Sequence, residues 1–361
     1  MHSFIGRFFR SFRPYMSRYV RLVQTVLIFI GLFGSITTSH AEVRPRINVG
    51  IQPLVIGPLY IAIKEKYFDQ LGIDVNLVKF TSGPAQFAAL AGGQIDLAWG
   101  GLGGFLLAKA NGQDLNFVSV LMDYNPLEAL VVPANSPIAS VKDLAGRKVG
   151  LVTGSNAHYG ITKAMRANGM GKGSVTLLGM PPPQQIAALN SGDIDAAYSW
   201  EPFLTPLYAN NARTLLTSSG WAYLGWAGKH DWLQKNSDLV VKLLQGWNMG
   251  LDRMQKDPEL AIRYTLEFTG MDPNQARAIF KGAGYFPAGV ALNPEHPAYW
   301  AKGSALNCHM HSFLAFGREE GLVKNIGDLD VDGYVVTKFM LAAEGQTTPH
   351  LQAPITCKEE K

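Results

Sequence analysis

Residues Gln86–Gly100 read QFAALAGGQIDLAWG, and residues Gln185–Ser199 read QIAALNSGDIDAAYS. At an offset of 99, eight of the fifteen positions are identical: Gln86/Gln185, Ala88/Ala187, Ala89/Ala188, Leu90/Leu189, Gly93/Gly192, Ile95/Ile194, Asp96/Asp195 and Ala98/Ala197. A phrase repeated at a fixed offset points to a duplicated architecture. Its first half, Q-x-A-A-L, is the end of a helix built from small, good helix formers. The glycine stops that helix and turns the chain. The second half, I-D-x-A-[WY], is a short apolar strand suited to the buried middle of a parallel sheet. Each strand then breaks, into Trp99-Gly100-Gly101 in one copy and Tyr198-Ser199-Trp200-Glu201 in the other. Ligands of open α/β sheets bind beyond the carboxyl ends of such strands.

The echo extends upstream. Val49-Gly50-Ile51 stands 100 residues before Val149-Gly150-Leu151, each opening a strand, loop and helix. The expected organisation is therefore two similar α/β lobes. The first lobe begins in residues 42–126, and the second takes 127–221. The chain then returns in 222–345 to finish the first lobe with helices, and 346–361 form a loose polar tail. Asp123-Tyr124-Asn125-Pro126 with Leu127–Val132 reads as the crossover out, and Ser218–Trp226 as the crossover back. Apolar spacing predicts helices over Leu59–Phe68, Asp231–Lys256, Glu259–Thr269, Pro273–Lys281, Pro297–Gly317 and Val331–Glu344.

At 361 residues, 47% hydrophobic and 17% charged, the chain can bury a large core and is too apolar for disorder. Its formal charge of +4 is set by the N-terminus: residues 1–41 hold five Arg and no acid, and the rest holds 27 Lys and Arg against 28 Asp and Glu. That balance gives no reason to expect a nucleic-acid partner. Arg7 to Arg21 form a basic region, Thr25–Thr38 an apolar core, and Ser39-His40-Ala41 a small-residue cleavage site. Together they predict a cleaved export signal over residues 1–41, hence a periplasmic protein with no membrane insertion of the mature chain. The apolar stretch is short for a span.

Two cysteines, Cys308 and Cys357, are candidates for a disulfide in an exported chain. Cys308-His309-Met310-His311 looks like a metal cluster, but only Cys308 and His311 share a helix face, so no metal is expected. H-E-x-x-H, G-x-S-x-G and Walker loops are absent from the sequence, which argues against those hydrolase and nucleotide-binding classes. No catalytic residue and no cofactor are assigned.

Five phrases in order resemble periplasmic solute-binding proteins of ABC importers, of the nitrate/sulfonate/taurine type. They are I-x-V-G-I-Q (47–52), K-Y-F-D-Q-L-G-I-D-V (66–75), S-G-x-x-Q-x-x-A-A-L-A-G-G-Q-I-D (82–96), D-L-A-G-R-K-V-G (143–150) and G-D-I-D-A-A-Y-S-W-E-P (192–202). Ala157-His158-Tyr159 together with Trp200-Glu201-Pro202 looks most like taurine-binding members. The resemblance implies an α/β fold of two lobes joined by two crossover strands, of the type II periplasmic-binding-protein kind, with the ligand cleft between them. It also implies a monomer without enzymatic activity, whose partners are a small organic anion and a membrane permease with a cytoplasmic ATPase.

A sulfonate needs converging donors, and helix N-termini supply free N–H groups and a positive dipole end. The loops Ser82-Gly83, Gly101-Leu102-Gly103 and Ser155-Asn156 enter helices with small residues that let the backbone approach a ligand. Gln52 and His158 are further donors. Asp123 and Glu201 are candidate acceptors for a ligand ammonium, Glu201 being the stronger. Trp99, Tyr124, Trp200 and Trp226 are candidate cleft walls. Taurine, another sulfonate, nitrate and an aromatic acid all fit such a site. Two other classes compete: an enzyme on the same fold resembling thiamine-pyrimidine synthases, whose Cys-rich motif is missing here, and a periplasmic sensor.

Overall fold

The computed structural model describes residues 44–52, 56–218, 222–324, 331 and 333–345. The expected export signal, the tail from residue 346 and Cys357 lie outside these residues. Cys308 is disulfide-bonded.

The first lobe opens with β1 (Arg46–Ile51), α1 (Gly57–Lys64), α2 (Tyr67–Gln70), β2 (Asp74–Lys79), α3 (Gly83–Ala91), β3 (Leu97–Gly101), α4 (Leu102–Ala110) and β4 (Leu115–Asp123). The second follows with β5 (Glu128–Pro133), β6 (Lys148–Leu151), α5 (Asn156–Ala167), β7 (Thr176–Gly179), α6 (Pro182–Ser191), β8 (Ala196–Trp200), α7 (Leu204–Ala209) and β9 (Ala212–Thr217). The chain returns through β10 (Tyr223–Lys229), α8 (His230–Lys235), α9 (Ser237–Lys256), α10 (Pro258–Thr269), α11 (Pro273–Gly282), β11 (Gly284–Tyr285), α12 (Ala305–Glu319) and α13 (Thr337–Ala343).

Among the described residues the strands form two sheets, in the orders β11-β4-β10-β3-β1-β2 and β7-β6-β8-β5-β9. Each places two parallel strands around its first, β2 and β3 beside β1, β7 and β8 beside β6. Each then receives an antiparallel strand from beyond a crossing: β10 between β3 and β4, β5 between β8 and β9. The duplicated α/β architecture with two crossings is thus present.

The repeated residues explain the repeated packing. In β1, a Cβ on Gly50 would lie 2.5 Å from Ile95 Cδ1; in β6, one on Gly150 would lie 2.7 Å from Ile194 Cδ1. Each glycine lets the isoleucine of the echoed phrase lie against the strand. Asp96 Oδ2 accepts the Asn48 N–H at 2.7 Å, and Asp195 Oδ2 accepts the Lys148 N–H at 2.8 Å. Gly93 and Gly192 turn the chain at φ 73° and 79°, where a Cβ is disfavoured.

Several boundaries differ from the sequence expectation. The helix expected over Leu59–Phe68 is two helices, because Lys66 takes a left-handed φ of 59°. That over Asp231–Lys256 divides at Asn236, which ends α8 and precedes α9. The helix expected from Pro297 starts at Ala305, where Ser304 Oγ accepts the Asn307 N–H at 3.1 Å as its cap. The one expected from Val331 covers only Thr337–Ala343. The return crossing is shorter than Ser218–Trp226, since Tyr223–Lys229 is already a central strand. Its apolar side chains are buried by β3 and β4 on either side.

Candidate functional site

Where the sheets face each other at the carboxyl ends of β3 and β8, a cleft of about 470 Å³, mouth included, is lined by Gln52, Gly83, Pro84, Gly101, Gly104, Tyr124, Glu128, Ser155, Asn156, Trp200 and Leu224. Three helices begin there: α3, α4 and α5, of 9, 9 and 12 residues. Their N-cap residues Ser82, Gly101 and Ser155 make no side-chain bond to first-turn N–H groups. The Ser155 hydroxyl instead donates to the Val152 carbonyl at 2.7 Å. The dipole ends of α3 and α4 from the first lobe and α5 from the second therefore converge on one space. Such ends favour an anion.

Asn156 ties the lobes together at this point. A Cβ on Gly101 would sit 3.4 Å from Asn156 Nδ2, and one on Gly103 only 2.6 Å from its Oδ1 and 2.5 Å from the Phe313 ring. Small residues at the start of α4 thus admit the amide from the opposite lobe. The same side chain hydrogen-bonds the Glu128 carboxyl.

Glu128, which the sequence assessment passed over, is the acid of the cleft. It is 7% exposed and starts β5 opposite Trp200. Burial pushes its carboxyl up to about 8, Asp123 pushes the same way, and the Asn156 bond opposes them. No Lys, Arg or His among the described residues forms an ion pair with it. The available signal was a lone acid in the apolar run Leu127–Val132, since buried charged residues are rare.

The remaining expected residues are placed as follows. Gln52, Gly83, Gly101, Tyr124, Ser155, Asn156 and Trp200 share the cleft. Tyr124 donates its hydroxyl to the Glu201 carbonyl at 2.9 Å, and burial holds its phenol well above the usual range. Ser82 caps α3 one residue before the lining. Gly103 is covered by Phe313 and Asn156. Trp99 and Trp226 are core rather than cleft: both are 0% exposed and their rings meet at 4.7 Å, with Trp247 stacked on Trp99 at 5.2 Å. Trp99 lies two residues before the end of β3, and it is Gly101, at that end, that reaches the cleft.

Asp123 closes a turn by accepting the Asn125 N–H at 2.9 Å, beside the cleft but not lining it. Glu201 lies away from the lining. Its carboxylate accepts the Thr205 N–H and hydroxyl at 3.1 Å and 3.0 Å, and a Gln275 amide at 3.4 Å. Those donors employ it in bracing the start of α7. His158 faces a second cavity with Arg166, Lys172 and Glu320. Its Nδ1 accepts the Gly154 N–H at 3.3 Å, its ring meets Phe316 edge-on at 5.0 Å, and burial lowers its basicity.

Comparison with known proteins places the chain in a family and a fold. The family described as "NMT1/THI5 like" matches residues 54–261. A Bacillus subtilis (strain 168) protein named for binding aliphatic sulfonates is 27% identical over 239 residues, covering 63% of this chain and 70% of the relative. The taurine-binding periplasmic protein of Escherichia coli (strain K12) is 27% identical over 284 residues, covering 74% and 84%. Among solved structures, the alkanesulfonate-binding protein SsuA of Xanthomonas axonopodis pv. citri, bound to MOPS, aligns with a TM-score of 0.68 at 21% identity. The alignment covers 81% of this chain and 98% of that one, a likeness of fold. The named relatives are binding proteins. No helix among the described residues is long and apolar enough to cross a membrane.

Proposed function

The chain belongs to the NMT1/THI5-like family, and from that premise we propose that it is the exported, periplasmic substrate-binding component of an ABC importer, taking up a sulfonate. The observation that carries this is the convergence of three helix N-termini, drawn from both lobes, on the cleft that Asn156 bridges. The first-turn N–H groups of those helices can share the charge of a tetrahedral anion, at roughly 1.5–3 kcal/mol for each charge-assisted bond. Four or five such bonds, after ordering costs, suffice for a micromolar complex of about −8 kcal/mol. Trp200, Tyr124 and Leu224 would enclose the organic body of the ligand. The two chain crossings lie where a hinge can absorb rotation, so binding closes the lobes, and the closed form is what a permease with its cytoplasmic ATPase receives. The names of the B. subtilis and E. coli relatives support the ligand class.

A carboxylate introduced at the cap of α5 tests this directly. Ser155→Asp sets a fixed negative charge at the start of α5, in the space that the anion would fill. Calorimetry with ethanesulfonate should show at least a tenfold loss of affinity, with circular dichroism showing that the variant is folded. Unchanged affinity in the folded variant would remove α5 from the site. Failure of the wild-type protein to bind any short sulfonate at millimolar concentration would overturn the function.

A further inference from the structure

We propose that His158, which lies outside the cleft, is the positioning residue of the anion site: its neutral imidazole holds the loop that opens α5, and its protonation releases that loop. The inference rests on the sulfonate function above and deepens it by adding a pH-sensitive control.

The loop after β6 has to present the first turn of α5 to the cleft, and three hydrogen bonds set its course. The Ser155 N–H donates to the Val152 carbonyl at 3.2 Å, and the Ser155 hydroxyl donates to the same carbonyl at 2.7 Å. The third donor is the Gly154 N–H, which meets His158 Nδ1 at 3.3 Å. Gly154 sits at φ 75°, and a Cβ there would lie 2.9 Å from Leu107 Cδ1 of the first lobe, so the loop is hemmed in at this point. A buried N–H so placed needs an acceptor. His158 is the third residue of α5, the position from which a side chain reaches back over a helix start.

Of the three bonds only this one depends on a proton. A ring nitrogen that accepts carries no hydrogen, so the neutral ring has its proton on Nε2. The imidazolium donates from both nitrogens, and the Gly154 N–H loses its acceptor. The new charge also stands at the positive end of α5, where a cation is disfavoured. Ser155 and Asn156 follow Gly154 directly, and both line the cleft. His158 does not, so its charge acts on a bound anion at a distance, whereas the lost bond acts on the loop itself.

The ring is 6% exposed and packs edge-on against Phe316 of α12 at 5.0 Å. The second cavity, of about 520 Å³, brings four charged groups towards it: Arg166 and Lys172 from the end of α5 and the turn beyond, Glu319 and Glu320 from the end of α12. They pair with one another, Arg166 with Glu319, and Lys172 with Glu320 at 3.2 Å. The strands β6 and β7 contribute the apolar Leu151 and Leu177. His309, earlier on α12, faces Tyr159 at 5.5 Å. Burial is the largest influence and opposes the imidazolium; Glu320 favours it and Lys172 opposes it. The ring is therefore neutral at pH 7 and charges below the ordinary histidine range of about 6.5.

Binding and protonation then oppose each other. Sulfonate affinity falls as pH drops through the His158 titration, and a bound sulfonate moves that titration to lower pH. Plain attraction between imidazolium and anion gives the opposite sign in both readouts.

The experiment follows the His158 ring proton of the mature chain by nuclear magnetic resonance, identified by its proximity to the Phe316 ring, with and without saturating ethanesulfonate. Calorimetry with the same probe at pH 7 and pH 5 accompanies it, in wild type, His158→Gln and His158→Leu, with circular dichroism at each pH. Ethanesulfonate should move the titration midpoint down, and wild-type affinity should fall about threefold or more from pH 7 to pH 5. His158→Leu offers no acceptor and should bind about fivefold or more weakly at pH 7. His158→Gln, whose amide oxygen accepts without titrating, should recover most of that loss and abolish the fall at pH 5. Glu128, held near 8, stays protonated over this interval and adds no slope. A midpoint that rises or stays with ligand, an acid-side fall that persists in folded His158→Gln, or a folded His158→Leu that binds like the wild type would overturn the inference and leave the sulfonate function standing. Absence of wild-type binding to any short sulfonate would overturn both. The wild-type midpoint keeps the test decisive if a variant fails to fold.

Discussion

The two lobes share a frame and differ in what they present to the cleft between them. Asp96 and Asp195 perform one task, each accepting the N–H of the neighbouring strand. Gly50 and Gly150 each make room for the same isoleucine of the echoed phrase. At the cleft the correspondence of position persists and the chemistry does not. Gly101 pairs with Leu224 in the first lobe, and Trp200 pairs with Glu128 in the second. All four line the cleft. One lobe thus offers a bare backbone and an aliphatic side chain, and the other an indole and an acid. Structural positions are held by packing that both lobes need, whereas residues that line an open cleft carry no such shared packing constraint.

The sharpest way to break this comparison is at the strands that each lobe receives from beyond a crossing. Gly225 in β10 pairs with Gly100, and Ala129 in β5 pairs with Ser199, the matching site. A Cβ on Gly225 would lie 1.8 Å from the Ser119 carbonyl oxygen, a backbone atom that cannot step aside. Gly225→Ala should cost about 3 kcal/mol or more, as severe overpacking does. Ala129→Gly should cost only about 1 kcal/mol. Urea unfolding of both variants measures the difference, and equal losses would show that the two strands sit in equivalent surroundings after all.

A smaller contrast is expected at the shared aspartates. Asp96 receives both the N–H and the side-chain amide of Asn48, at 2.7 Å and 3.1 Å. Asp195 receives the Lys148 N–H and lies 3.5 Å from Arg147, with its side chain 33% exposed. Asp96→Ala should lose about 2 kcal/mol and Asp195→Ala about 1 kcal/mol, since bonds to charged groups contribute more when shielded from water. The same denaturation curves decide it, and a reversed order would contradict the ranking by shielding.

The smallest effect distinguishes Gln86 from Gln185, which open the two copies of the phrase. Gln185 donates to the Met180 carbonyl at 3.1 Å, and only its Oε1 is left without a partner. Both polar atoms of Gln86 are buried without a hydrogen-bond partner. Gln86→Met should be neutral or stabilise by a few tenths of a kcal/mol, while Gln185→Met should cost about 1 kcal/mol, because removing an unsatisfied group relieves a desolvation cost. Differential scanning calorimetry resolves the two. A loss at Gln86 as large as that at Gln185 would mean that its amide is engaged in solution.

The duplication was legible because packing constraints are local. A glycine after a helix of small residues, and an I-D-x-A strand, specify the same turn and the same buried strand wherever they occur. The three loops that open onto the cleft could be read for the same reason, since small residues before a helix expose its N-terminus. The helix boundaries after residue 230 were less legible. Apolar spacing continues through Asn236 and before Ala305, and it is the non-helical backbone of Asn236 and the Ser304 cap of the folded chain that interrupt it.

The sequence by itself determined the two-lobe α/β frame, the approximate places where the chain crosses, and the convergence of small residues on helix starts, all of which follow from periodicity and turn chemistry within a few tens of residues. Which acid lines the cleft was decided by the tertiary structure alone. Glu201 and Glu128 are both acids next to strand ends, and apolar periodicity does not separate them. Folding brings Thr205 and Gln275 to the first, giving it donors of its own. It brings Trp200, Tyr124 and Asn156 around the second, burying it with no cationic side chain paired to it among the described residues. Thr205 is a local partner, four residues on, but Gln275 comes from 74 positions away and Trp200, opposite Glu128, from 72, and those contacts exist only in the folded lobes.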